Sequence, residues 1–239
     1  SGTAANLVLA FAGTVTTHTG TVTISNAPTV AQLVLINAAT TGAITLSTAN
    51  GALTGSAANI VTAFAGTVTE HTGTVTVTDA ATVAQFNTIN AETTQNVVLS
   101  GGVSDTAAAY AATDGTTTAG LTAIAAQDGD AVITVSDAAK VAQFNTINAA
   151  TSSNVVLSGG ASDTAAAYAA TDGTTTAGLT AIAAQDADAA ITVSDAPTVA
   201  QLVTINAATT GAIVLSTASG ALSGTAANLV LAFAGTVTT

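Results

Sequence analysis

Sixteen residues, Ser136 to Thr151 (SDAAKVAQFNTINAAT), recur with small changes from Ser25 (SNAPTVAQLVLINAAT), Thr78 (TDAATVAQFNTINAET) and Ser194 (SDAPTVAQLVTINAAT). A chain that writes one supersecondary unit four times can bury the apolar face of each unit only against its neighbours, so the fold must be a stacked array. The anchors Asn26, Asp79, Asp137 and Asp195 are spaced 53, 58 and 58 residues apart. Residues 1–17 and 223–239 are the same text, 222 residues apart. The expectation is one super-repeat plus an overlap from a longer tandem array. It would be a single continuous solenoid over 1–239, with partial repeats near 1–25 and 195–239 around whole ones at 26–78, 79–136 and 137–194.

Each repeat contains a strictly alternating β-branched run: Thr21–Ser25, Thr74–Thr78, Ile133–Ser136 and Ile191–Ser194. A period of two predicts half-buried strands with Val22, Ile24, Val75, Val77, Ile133, Val135, Ile191 and Val193 inward and Thr and Ser outward. A second run follows at Ala43–Ser47, Val97–Ser100, Val155–Ser158 and Ile213–Ser216, with Val98, Val156 and Val214 on the outward side.

Between the runs, Val83, Phe86 and Ile89, or Val141, Phe144 and Ile147, share one side at a spacing of three, which predicts a short helix tending toward 3₁₀. Asn26, Asp79, Asp137 and Asp195 stand where an N-cap is expected, and Pro28 and Pro197 two residues later fit a first helical turn. The text TAANLVLAFAGTVTT and the Ala-rich stretches from Asp105 and Asp163 predict further helices, the latter ended by Asp114-Gly115 and Asp172-Gly173. The insertion at 105–131 and 163–189 lengthens the two middle spacings, and Leu121–Ala126 within it is left without an assignment. Strands joined by helices must run parallel through crossovers, which are right-handed in nearly all proteins. The expected fold is therefore an α/β right-handed parallel solenoid, with one Thr/Ser-rich exposed sheet face and short Ala-rich helices on the other side.

Aromatic residues make up 3% and charged residues 6% of the chain, so the core must be Ala, Val, Ile and Leu. With a formal charge of -12, Lys140 as the only basic residue besides the two histidines, and no arginine, nucleic acid is not an expected partner. Cysteine is absent, which removes disulfides and thiolate chemistry. No uninterrupted apolar run reaches the ~18 residues of a membrane span.

Few side chains offer chemistry. Asp128-Gly129-Asp130 and Asp186-Ala187-Asp188 pair carboxylates on a loop and are the calcium candidates, against the alternative of solvated turns; the EF-hand and β-roll spacings are both missing. His18 and His71 occupy one repeat position and read as turn residues rather than ligands. Lys140, where the other repeats have Thr29, Thr82 and Thr198, reads as a surface residue paired with a carboxylate. Asn37, Asn90, Asn148 and Asn206 fall at one position at a helix end, which suggests a structural ladder satisfying backbone groups in the bends. Gln32, Gln85, Gln143 and Gln201 have a related role or mark the exposed helix face. Tyr110 and Tyr168 are expected in the core. No cluster of nucleophile, base and acid recurs, so the chain is not expected to be an enzyme.

The pattern VTVSDAAxVAQxNTINAATT-VVLS, with its alternating T-A-A-N-L-V helix, resembles the repetitive regions of giant bacterial surface proteins, the adhesin-like and hemolysin-type secreted chains. The resemblance implies an extracellular or cell-surface structural protein, a homo-oligomer that stacks its coils end to end into a filament, stalk or coat. The alternative is a binding module that applies its Thr/Ser-lined face to ice, glycan or another surface.

Overall fold

A computed structural model describes residues 1–13, 16–217 and 220–238. In chain order these form α1 (Ala4–Phe11), β1 (Val22–Ile24), α2 (Val30–Ala39), β2 (Ile44–Leu46), β3 (Leu53–Gly55), α3 (Ala57–Ala63), β4 (Val75–Val77), α4 (Val83–Ala91) and β5 (Val97–Leu99). There follow β6 (Val103–Asp105), α5 (Ala107–Tyr110), α6 (Ala119–Gln127), β7 (Ile133–Val135), α7 (Val141–Ala150), β8 (Val155–Leu157), β9 (Ala161–Asp163), α8 (Ala165–Tyr168) and α9 (Ala177–Gln185). The chain continues through β10 (Ile191–Val193), α10 (Val199–Ala208), β11 (Ile213–Leu215), α11 (Ala226–Ala232) and β12 (Val237–Thr238). The fold is mixed α/β, with short parallel sheets and no closed barrel. It divides into two compact units, one of residues 1–103 and 123–131, the other of residues 104–122 and 132–239.

In the first unit β1 pairs with β2, and β3, β4 and β5 form a second sheet, in parallel register with Val22 opposite Ile44 and Leu53, Val75 and Val97 in line. The strands are three residues long, and their first and last side chains bury Val22, Ile24, Ile44, Leu46, Val75, Val77, Val97 and Leu99. That is the inward set required by the alternation. Helices α1, α2, α3 and α4 pack in succession and add Leu33, Ile36, Ile60, Phe86 and Ile89 to the same core.

The second unit holds the pair β7-β8 and the sheet β9-β10-β11-β12, again parallel, with Ile133 opposite Val155 and Ala161, Ile191, Ile213 and Val237 in line. Tyr110 and Tyr168 are fully buried, and their hydroxyls donate to the carbonyls of Thr134 and Thr192 at 3.3 Å. Burial pushes both phenols up from their ordinary range.

Several sequence expectations are corrected. β3, β6 and β9 form a third strand in each whole repeat; LTG, VSD and ASD are too short and too polar to show a period of two. The helices of the sixteen-residue text are α-helices of nine or ten residues. They start at Val30, Val83, Val141 and Val199, later than the Asn or Asp anchors, so Pro28 and Pro197 lie outside them. The true caps are Thr29, Thr82 and Thr198, whose hydroxyls accept from the amides of Gln32, Gln85 and Gln201, while each Gln carboxamide oxygen accepts from the cap amide. At Lys140 only the Gln143 half of this box exists, at 2.9 Å. The unassigned Leu121–Ala126 stretch is the centre of α6, and the Ala-rich helix before it closes after four residues. Gly115 and Gly173 then turn with φ of 88° and 89°, a conformation that favours glycine.

Candidate functional site

Most of the polar residues that recur in the sequence hydrogen-bond backbone groups 20 or more residues away. Asn26, Asp79, Asp137 and Asp195 each offer Oδ1 to the first amide of a helix lying earlier in the chain: Ala4 at 2.8 Å, Ala57 at 2.7 Å, Ala107 at 2.6 Å and Ala165 at 2.7 Å. They therefore cap α1, α3, α5 and α8 across the coil boundary, 22 or 30 residues away, and not the helix that follows them. Asp163 does the same for Val141 at 3.1 Å, and its other oxygen lies 3.9 Å from the Lys140 ammonium. A carboxylate at a helix N-terminus satisfies an orphan donor and meets the positive end of the dipole.

The calcium candidates are placed by similar bonds. Asp128 Oδ2 accepts from the Leu99 amide at 2.5 Å, and Gln127 Oε1 accepts from Val97 at 3.1 Å. Asp186 and Gln185 repeat this on Leu157 and Val155 at 2.6 and 3.2 Å. In each case a Gln-Asp pair at a helix end takes the place of a further strand along the edge of β5 or β8. Burial pushes the carboxyls of Asp128 and Asp186 up, the Leu99 or Leu157 amide opposes this, and the neighbouring Asp130 or Asp188 adds to the rise. Among the described residues no group of three or more His, Cys, Asp or Glu converges to hold a metal ion. The Gln partners escaped the sequence reading, although Gln-Asp recurs in both insertions at the same place.

Asn37 Nδ2 donates to the carbonyls of Thr62 and Ala65, both at 2.8 Å, and Asn206 Nδ2 donates to Leu231 at 2.9 Å. Both reach the end of a TAAN-type helix one coil on. For Asn90 and Asn148, which precede the inserted segments, no side-chain hydrogen bond is found among the described residues. Gln143 and Gln201 are buried as well as capping, with Nε2 donating to Ala111 and Ala169 at 2.8 Å.

His71 is no exposed turn residue. It bridges Thr93 in parallel fashion, with its amide on the Glu92 carbonyl at 2.9 Å, and only 2% of it is exposed. Its ring is tilted against Phe64 at 6.0 Å, and neither ring nitrogen has a hydrogen-bond partner among the described residues. Burial lowers its pKa, with the backbone of Gly51 acting in the opposite direction. His18 stands in the same relation to Phe11 at 6.1 Å but is exposed.

The outward sheet rows are short. Thr54, Thr76 and Val98 align in one unit, and Ser162, Thr192, Val214 and Thr238 in the other. In the two-stranded sheet Thr23 stands opposite Thr45, while in the wider sheets Val98, Val156 and Val214 interrupt the hydroxyl rows.

A different surface comes from the text shared by the two ends. Its relative inside the first unit, SAANIVTAF, buries Ala57, Ile60 and Phe64, with Phe64 3% exposed. In α11, where no further helix packs among the described residues, Ala226 is exposed, Leu229 half-buried and Phe233 47% exposed. Comparison with protein-family models, with curated proteins and with solved structures finds no match to this chain.

Proposed function

We propose that this chain is a structural repeat protein of the cell exterior, a right-handed solenoid that stacks coil on coil, end to end, into a filament, stalk or coat. The observation that carries the reading is the contrast between Phe64 and Phe233: the related text of α3, packed between α2 and α4, is sealed, Phe11 of α1 is half-buried beside α2, and Phe233 of α11 stands open. A further coil, from more chain of the same text or from a second copy, would bury that face. Burying a Phe side chain stabilises by about 1.5–3 kcal/mol, and the neighbouring Leu229 and Ala226 add to it.

The bonds between coils support the same reading, because each coil donates and accepts at fixed positions that another copy of the text reproduces. The reading assigns no catalysis and no cofactor. Calcium is not needed to explain Asp128 and Asp186, whose oxygens already serve strand amides. The test is electron microscopy of the purified chain beside a Phe233→Asp variant. Elongated particles for the wild type and short ones for the variant are expected; short particles from both at high concentration would remove the end-to-end reading.

A further inference from the structure

Exposure at the shared end text has two origins, and the internal repeats separate them. Phe233 is open because its coil is uncovered, since Phe64 is buried at the same place. Leu9 and Leu35 are different: they are 74% and 55% exposed, and α2, which carries Leu35, is packed between α1 and α3. Their counterparts are Thr62 for Leu9, and Thr88, Thr146 and Thr204 for Leu35. Thr62 and Thr88 are likewise exposed and turn their hydroxyls back onto Ala58 and Ala84 of their own helices. At Thr146 and Thr204 the inserted segments half-cover the position, and the hydroxyls donate to the carbonyls of Gly115 and Gly173; on α1 to α4 it is an open helix face, leucine on α1 and α2 and threonine on α3 and α4. A surface groove of about 290 Å³ lined by Phe11, Thr17, Leu35, Ala38 and Ala39 adjoins it.

Charge follows the same division. All 13 acidic residues and the single lysine lie between Glu70 and Asp195, so residues 1–69 and 196–239 contain no Asp, Glu, Lys or Arg. Of the large apolar side chains exposed among the described residues, Leu9, Leu35, Val230, Leu231 and Phe233 lie in that uncharged text, and Val98, Val132 and Val156, less exposed than Leu9 and Leu35, lie in the charged portion. Two copies of a chain with formal charge -12 repel each other along their middle portions and can approach only where no charge stands.

We infer that the outer face of α1 and α2 is a lateral self-association site, on which a second copy of this chain seats its own α1–α2 face, Leu9 and Leu35 of each copy against the uncharged groove of the other. A like pairing of one patch with itself is the arrangement a two-fold interface requires. This contact lies on the side of the coils, so it stands apart from the end-to-end stacking proposed above. Two helices about 12–15 Å long and ~10 Å apart offer a few hundred Å² each, below the ~800 Å² per partner of a stable interface. A single pair of chains therefore associates weakly.

The test is sedimentation equilibrium of the whole chain from micromolar to millimolar concentration, in low and high salt, with Phe233→Asp present throughout to block end stacking. Self-association that strengthens with salt, and that weakens at least about tenfold in Leu9→Thr/Leu35→Thr, is expected. Threonine is native to the internal counterparts, so the variant should fold, as circular dichroism would verify. Moving the patch instead, with Thr62→Leu/Thr88→Leu, should strengthen association. The inference is overturned if the Phe233→Asp chain stays monomeric throughout, if the threonine variant associates as tightly as its parent, or if a monomeric chain binds neutral phosphatidylcholine vesicles through these leucines.

Discussion

Val77 and Thr76 are neighbours in β4, one buried and one facing outward, and they give the sharpest test of the strand phase. Val77→Asp places an unpaired carboxylate among aliphatic side chains and should destabilise by more than ~3 kcal/mol, whereas Thr76→Asp should cost within about 1. Equal shifts in melting temperature would refute the phase. His71 makes a prediction of a different kind. Its folded pKa lies below the ordinary 6.5, so the unfolded chain takes up the proton first, and the stability due to neutral His71 is present above 6.5 and lost as pH falls through the lowered value. The carboxylates nearest in sequence and contact are Glu70, next to it, and Glu92, whose carbonyl receives its amide. His71→Leu should flatten this acid-side loss in thermal melts, while His18→Leu, at the exposed counterpart, should leave it. Asp128 and Asp186 act with the opposite sign: their raised pKa values mean that stability is gained as pH falls through them, so the two effects are separable in the single variants.

At the scale of the element, α1, α3, α5, α7 and α8 each have a first amide that depends on a side chain 22 or 30 residues further along the chain. Asp195 lies three residues before the cap Thr198 yet serves Ala165 at the start of α8. Asp195→Ala should therefore cost ~1–2 kcal/mol and raise amide exchange at α8, with little change at α10. Slower exchange at α8 than at α10 would sink the assignment. The Gln-Asp pairs are the edge counterpart of these caps. Asp186→Ala orphans the Leu157 amide and should fray β8, at a cost of ~1–3 kcal/mol. If calcium raises the melting temperature of the wild type and not that of Asp186→Ala, the carboxylates hold an ion and the edge role is secondary. Gly101 and Gly159 belong to the same economy of space: a side chain on either would strike the backbone of Asp79 or Asp137.

For the whole molecule, the repeated coil text should respond to mutation according to what covers it. Phe64→Ser leaves a cavity in the first unit and should lower stability by about 3–5 kcal/mol, while Phe233→Ser, at the half-open counterpart, should cost about 1 or less in the separate chain and act mainly on assembly. A thermal melt of both variants, beside light scattering, decides it; comparable destabilisation would mean that the α11 face is already sealed. The alternation of Val22, Ile24, Val75 and Val77 with threonine was sufficient to place the strands and their inward faces, because a period of two and a period of three to four cannot be confused in so regular a text. Composition pointed to an aliphatic core, and Val, Ile, Leu and Ala do make up most of it, with Tyr110, Tyr168, Phe86 and Phe144 as its largest members. The partners of the polar residues were decided only in three dimensions. Asn26 and its counterparts looked like caps of the next helix because local spacing is all a sequence displays, yet their oxygens reach amides 22 or 30 residues back. The strands β3, β6 and β9, the burial of His71 and the Gln-Asp edges have the same cause: each is fixed by the coil lying beside it, a contact distant along the chain and adjacent in space.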